Sequence, residues 1–294
     1  METPTSDAAG LLLVDKPPGV TSHDVVAIVR RVVGSQRVGH TGTLDPFATG
    51  LLVVLVGRGT RLIPYIDGEP KVYEATIRFG AETDTDDATG NVTRTARLPS
   101  EADVAGAITR LTGVIDQVPP AYSAKKVAGT RAYAAARRGA TIELQPARVT
   151  VHRWERGPLV DGELSARITC GGGTYIRALA RDLGRLSDSA AHLSALRRVR
   201  SGTFTVDDSC TLDQLRAGEF VMHPLRAAVP SLPTRRVDDI ELARVLHGNA
   251  IDAGDNHAAT TRTPIALVDD EQTLVAVAER EGSELRPKLV LRDA

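Results

Sequence analysis

Residues 37–50 read RVGHTGTLDPFATG, and what this stretch cannot become decides the fold around it. Gly39, Gly42 and Gly50, together with Pro46, forbid a long helix or strand, so the segment is a shaped loop. GLLVVLVG at 50–57 follows it; too short and too apolar for a surface helix, it predicts a strand buried on both faces. Upstream, GLLLVD at 10–15 predicts another buried strand, running into the turn Lys16-Pro17-Pro18-Gly19. Between them, Thr21 or Ser22 can cap a helix with Val25, Val26, Val29, Val32 and Val33 on one side and Gly34 as its stop. Loops held between rigid elements are where catalytic groups tend to sit. This one carries one carboxylate, Asp45, one imidazole, His40, and three threonines. Taken alone, Asp45-Pro46 is better explained by an Asx-type turn, with His40 as a surface residue.

Further along, 71–79 alternates, with Tyr73, Ala75, Ile77 and Phe79 on one face and Val72, Glu74, Thr76 and Arg78 on the other. That pattern predicts a half-buried antiparallel strand. Ser100-Glu101-Ala102-Asp103 resembles a capping box opening a helix to about Leu111. Residues 149–154 and 164–170 again alternate, and the second run enters Gly171-Gly172-Gly173 and a helix expected over 174–186. Strands and helices mixed in this order define an α+β protein. Around Pro230-Ser231-Leu232-Pro233 the texture becomes a proline-marked linker, and 234–294 reads as a small β-rich module with strands at 264–268 and 273–278. The expected organisation is a disordered stretch over 1–9, a main domain over 10–230 and the small module over 234–294.

With 36 basic against 37 acidic residues, the overall charge gives no support to a polyanionic partner. Its distribution does. From 122 to 156 eight basic residues stand against Glu143 and Glu155, whereas from 237 onward twelve acids face six bases. No apolar run approaches the roughly 18 residues of a membrane span, and the acidic, polar first ten residues are unlike a signal peptide. Cys170 and Cys210 have no metal-ligand or disulfide spacing, so reduced thiols in a cytoplasmic protein are expected.

GHTGTLDPFATG resembles the signature loop of the TruB family, the tRNA pseudouridine-55 synthases. Other landmarks of that family stand in order around it: LLVDKPPGVTSHD at 12–24, KVYEATIRFGAETDTDDATG at 71–90, QVPPAYSAKK at 117–126, GGGTYIRALARDLG at 171–184 and AHLSALRRVRSGTF at 191–204. The resemblance runs from about residue 10 to about 215 and is of the bacterial type, with a short, actinobacterial-like C-terminal domain. It implies a mixed, mainly antiparallel central sheet of the pseudouridine synthase type with flanking helices, followed by a small PUA-like domain. It also implies an isomerase acting on uridine 55 in the T-loop of tRNA, as a monomer. Breaking the bond from ribose C1′ to N1 and rejoining through C5 needs neither redox change nor phosphate, so no cofactor or metal is required.

The resemblance assigns roles residue by residue. Asp45 becomes the nucleophile, a role that suits a carboxylate kept ionised by a nearby cation. Arg177 becomes its charge partner, and Tyr73 stacks on the uracil and is a candidate for removing the C5 proton. A phenol with a pKa near 10 is a poor base at neutral pH, so the stacking role is the stronger of the two. His40, Tyr175 and Leu196 match positions that contact the flipped nucleotide, and Lys16 one that supports the floor of the site. The basic stretch 119–149, with Lys125, Lys126, Arg131, Arg137 and Arg138, matches a mobile thumb that closes over RNA, as its interleaved tyrosines also suggest. The target base must be extruded from its stack first, at a cost of a few kcal/mol. The acidic C-terminal module is poorly suited to gripping phosphates, so only auxiliary RNA contact is expected of it.

Three other readings compete. Asp84, Asp86 and Asp87 could hold Mg²⁺ in a hydrolase, and Gly171-Gly172-Gly173-Thr174 before a helix could hold a nucleotide phosphate. An RNA-binding or tRNA-folding module with incidental catalysis would show the same basic stretch.

Overall fold

The structure is a computed structural model that describes residues 8–122, 144–254 and 263–292, and the main chain of two short strands between the first two spans. In chain order the strands are β1 (Gly10–Lys16), β2 (Val38–His40), β3 (Thr49–Val56), β4 (Lys71–Phe79), β5 (Ala81–Thr83), β6 (Val92–Thr95), β7 (Gly113–Gln117), β8 (Lys126–Val127), β9 (Thr130–Arg131), β10 (Ala147–Val160), β11 (Glu163–Cys170), β12 (Ala191–Ser201), β13 (Phe204–Thr205) and β14 (Cys210–Thr211). Among the described residues four α-helices accompany them: α1 (Ser22–Val33), α2 (Glu101–Arg110), α3 (Ile176–Leu186) and α4 (Leu212–Ala217). Ten of these strands form one sheet along the order β14-β1-β3-β12-β4-β11-β10-β7, with β2 added to β3 and β13 to β12. Only the β1–β14 and β12–β3 pairs are parallel. The sheet is therefore mixed and mainly antiparallel, the α+β class expected from the sequence.

The uniform apolarity of β1 and β3 follows from having both faces covered. Leu12, Val14, Leu52 and Val54 pack with α1 and α4. Leu11, Leu13, Leu51 and Val53 face the other way, onto Ala266, Val268, Leu274 and Leu289 of the C-terminal sheet. A third core lies under β4, β11 and β12, where Ile77, Ile168 and Leu193 meet Val104 of α2 and Leu179 and Leu183 of α3. α1 begins at Thr21, whose hydroxyl and Asp24 form a reciprocal capping box, and stops at Gly34 with φ 67°. α2 opens on the same device, made by Ser100 and Asp103.

Two expectations are corrected. The third helix starts at Ile176 rather than Thr174, because Thr174 Oγ1 donates to the Gly171 carbonyl (2.9 Å) in a turn with Gly173 at φ 76°; Tyr175 stands at the N-cap position without a side-chain capping bond. On β4, Val72 is buried although it lies on the opposite face from Tyr73, with Glu74, Thr76 and Arg78.

Beyond Pro233 five strands, β15 (Thr234–Arg236), β16 (Ile251–Asp252), β17 (Ile265–Val268), β18 (Leu274–Glu281) and β19 (Glu284–Val290), form a second sheet in the order β15-β17-β18-β19-β16. It also carries a helix that the β-rich reading did not include, α5 (Asp239–Leu246). Much of its acidity is used internally, in the pairs Arg235–Glu241, Arg236–Asp270, Arg292–Asp269 and Lys288–Glu281. Among the described residues no helix is long and apolar enough to cross a membrane.

Candidate active site

The loop before β3 is built around Asp45. Its carbonyl accepts from Ala48 N (3.1 Å), closing a turn with Pro46 at the second position. The turn therefore uses the backbone of Asp45 and leaves the carboxylate free. Two buried side chains hold the loop from behind. Ser22 Oγ donates to the Leu44 carbonyl (3.2 Å) and accepts from Leu44 N (2.9 Å). Lys16 donates to the carbonyls of Pro17, Val20 and Pro46 at 2.8–3.2 Å. Burial pulls the Lys16 ammonium down to about 8, while Asp45 pulls the other way. Lys16 thus anchors the floor of the loop and takes no part in lining the cleft.

Opposite stands Arg177, 4% exposed at the start of α3. Its Nε and Nη2 donate to the two oxygens of Asp45 at 2.9 and 3.0 Å, a bidentate charge-assisted pair. Nη1 donates to the Thr85 carbonyl (2.8 Å) and Nη2 to the Tyr122 carbonyl (3.0 Å). Asp87 lies 3.8 Å from Arg177 and accepts from the hydroxyls of Thr85 and Thr89. Residues 132 apart in sequence are brought together here, and the Asp45 side chain keeps about a third of its surface open to the cleft.

The cleft is lined by Gly42, Thr43, Asp45, Lys71, Tyr73, Tyr175, Leu196 and Arg198, among others, and encloses about 260 Å³. β12 supplies Leu196 and Arg198 through two irregularities in its pairing with β4. The first, at Ser194, shifts the register so that Leu196 pairs with Ala75 and Arg198 with Tyr73, while Arg197 turns outward to Asp15. Arg198 is fully buried and donates to the carbonyls of Leu51 (2.8 Å) and Gly42 (3.0 Å), beside Tyr73 in the β12–β4 register. Burial pushes the Tyr73 phenol above its ordinary value, with Arg198 opposing the shift, so it is a still weaker base than a free tyrosine.

Tyr175 is held by both ends of the buried Gln117 amide, which accepts from its N–H (2.9 Å) and donates to its carbonyl (3.1 Å). His40 stands apart. It sits on β2, outside the residues lining the cleft, edge-on to His23 with ring centroids 5.9 Å apart. Its buried Nδ1 has no partner, and burial, followed by the charges of His23 and Arg198, lowers its pKa. Lys125, Arg137 and Arg138 lie outside the described residues, as do the side chains of Lys126 and Arg131. Sequence reading missed the site roles of Ser22, Gln117, Lys71 and Arg198; all four stand inside motifs quoted above, but no local pattern marks them.

The competing site readings lose their ligands. Asp86 is buried against Arg181 (3.0 Å), Asp84 accepts from Asn91 N (2.9 Å), and Asp87 is taken by the two threonines, so the three carboxylates serve separate partners. Burial raises Asp86 to about 6 in spite of Arg181. At the Gly171-Gly172 turn the Glu69 carboxylate occupies the space where a phosphate would have to approach.

The mixed sheet has counterparts among solved structures. A chain from the structure of an H/ACA RNP bound to a substrate RNA containing 2′-deoxyuridine superposes with a TM-score of 0.71 over 96% of this chain and 85% of its own, at 23% identity. A chain of a Cbf5-Nop10-Gar1 complex gives the same score over 97% and 85%, at 24% identity. What these chains share with it is the fold, a mixed and mainly antiparallel sheet flanked by helices. Residues 30–176 match the TruB family pseudouridylate synthase N-terminal domain, and residues 177–231 match the tRNA pseudouridylate synthase B C-terminal domain. Proteins described as tRNA pseudouridine synthase B are 48% identical in Thermobifida fusca, over 96% of this chain and 98% of the relative, and 42% identical in an Arthrobacter strain, over 96% of both. The chain belongs to the TruB family of pseudouridylate synthases.

Proposed function

We propose that the chain converts uridine 55 in the T-loop of tRNA to pseudouridine, as a monomer in the cytoplasm and without a cofactor. The observation that carries this reading is the bidentate Asp45–Arg177 pair at the floor of a cleft lined by Tyr73 and Leu196. Its tRNA relatives at over 40% identity support the substrate.

The chemistry follows from the geometry. The extruded uracil enters against Tyr73 and Leu196, which replace the stacking it has lost. Arg177 grips both oxygens of the Asp45 carboxylate and aims it while one flank stays open to substrate. Asp45 then drives cleavage of the N1–C1′ bond, whose electron pair leaves with N1; the uracil turns, C5 bonds to C1′, the C5 proton is lost to water, and N1 takes up a proton in its place. Tyr73, with its phenol raised by burial, acts by stacking and not as the base at neutral pH. The basic stretch 119–149 holds the RNA, and the C-terminal sheet, with its acids internally paired, gives auxiliary contact. Incubating unmodified tRNA transcripts with the protein and mapping pseudouridine at nucleotide resolution tests this. The product is expected at position 55 and nowhere in a transcript carrying cytidine there; modification elsewhere in the tRNA overturns the site assignment.

A further inference from the structure

The cleft contains a cation for which the reaction above gives no use. Lys71 opens β4 two residues before Tyr73, so both side chains leave the strand on one face, and both line the cleft with Asp45. Its Nζ lies 3.8 Å from the point where a side chain on Gly42 would begin, and Nη1 of Arg198 lies 3.4 Å from the same point. Two positive groups thus converge beside the backbone of the catalytic loop.

Their circumstances differ. Arg177 is neutralised by Asp45, Arg198 is engaged by two carbonyls, and Lys16 by three. Among the described residues Lys71 Nζ has no hydrogen-bond or ion-pair partner. Two groups near it could have offset its charge. Glu69 attracts it only from a distance, its carboxylate lying against Gly171 and Gly172. Cys170, opposite Lys71 in the β4–β11 register, has its thiol pushed up to about 11 by burial and is neutral at physiological pH. A half-buried ammonium with no acceptor carries a desolvation cost that an anionic ligand would relieve. Whatever anion arrives must come with the nucleotide that stacks on Tyr73. Uracil is neutral when it enters; the phosphodiester on either side of it is not. A lysine, a compact point charge on a flexible stem, suits such a group.

We infer that Lys71 binds a phosphodiester directly flanking the target uridine and so sets the depth to which the flipped nucleotide enters the cleft. It is a positioning residue, and the inference rests on the RNA-modifying function proposed above.

The test is a coupling experiment on T-arm RNAs tritiated at uridine C5. Each has either natural phosphodiesters or a neutral methylphosphonate immediately 5′ or 3′ of the target, and each is assayed with wild type, Lys71→Gln and Lys71→Arg. Lys71→Gln on natural RNA, and the neutral linkage at one of the two positions with wild type, should each raise KM about tenfold, the scale of one charge-assisted hydrogen bond. Together they should do no more than either alone, kcat should change less than KM, and Lys71→Arg should recover most of the loss. Effects that multiply to roughly 100-fold at both linkages, or a loss confined to kcat, overturn the inference. If Lys71→Gln fails to fold, wild type alone decides, since indifference to a neutral linkage at both positions also overturns it. A wild type that releases no tritium from natural RNA removes the proposed function itself, which separates the two failures.

Discussion

Replacing Arg177 by lysine keeps one positive charge under the catalytic loop and removes the fork that aims Asp45. The guanidinium makes four hydrogen bonds, two to Asp45 and one each to the carbonyls of Thr85 and Tyr122. A shorter side chain ending in a single nitrogen cannot span acceptors on three segments, and retention of a single Asp45 contact leaves at least two bonds unmade. With bonds from charged groups contributing about 1.5–3 kcal/mol each, and some recovery through water, the net loss is about 3 kcal/mol. In a protein of this size that lowers the thermal midpoint by roughly 6–12 °C. The carboxylate, free to swing by about 1 Å, should slow turnover about 100-fold, equivalent to about 2.7 kcal/mol of barrier. RNA affinity should stay within about twofold, an expectation that follows from the burial of Arg177 beneath Asp45. Single-turnover tritium release at saturating tRNA, filter binding and a melting curve together separate these effects. A lower midpoint with unaltered turnover would refute the reasoning, leaving Arg177 a structural role only.

Other expectations concern the frame around the site. Gly50 has φ 100°, and a side chain there would begin within 2.8 Å of Arg198 N, so Gly50→Ala should prise β3 from β12 and cost about 3 kcal/mol, read by urea denaturation; a cost under about 1 kcal/mol would contradict that close approach. Glu82, 4% exposed, accepts from Arg94 and Arg185; burial works against its charge, but those hydrogen bonds hold its carboxyl below its ordinary value. Glu82→Gln should destabilise the protein by about 3 kcal/mol, and a neutral result would show that the hub contributes little. His40, lowered by burial, should titrate below about 6.5 in ring-proton NMR. Its contribution to stability is full above that pH and lost as pH falls toward its folded-state value; a midpoint at or above 6.5 would show that the ring is not desolvated.

Local chemistry made part of this architecture legible in advance. The two-sided apolarity of 50–57, the alternation of 71–79 and the capping residues Thr21 and Ser100 each act over a few residues, and each produced the expected element. Where a side chain does something non-local, the pattern misleads. Thr174 reads as a helix start, yet its hydroxyl closes a turn instead. Ser22 reads as a possible cap but clamps Leu44 across 22 residues. The irregularities in β12 break its alternation, so nothing local shows that Leu196 and Arg198 share a face with Tyr73. The pairing of Asp45 with Arg177 came from family resemblance; neither residue's neighbours in sequence point to the other. Burial in turn explains why Arg198 and Lys71 went unremarked, since a charged residue in a strand is ordinarily read as solvated.

The most direct test of the account follows tritium from uridine C5 of an unmodified T-arm RNA, in the presence of EDTA, with wild type and with Asp45→Asn. The account predicts release by wild type that chelation does not affect, and none above background from Asp45→Asn, although that variant still binds the RNA. Release by Asp45→Asn at a rate near that of wild type would contradict the assignment of bond breaking to Asp45.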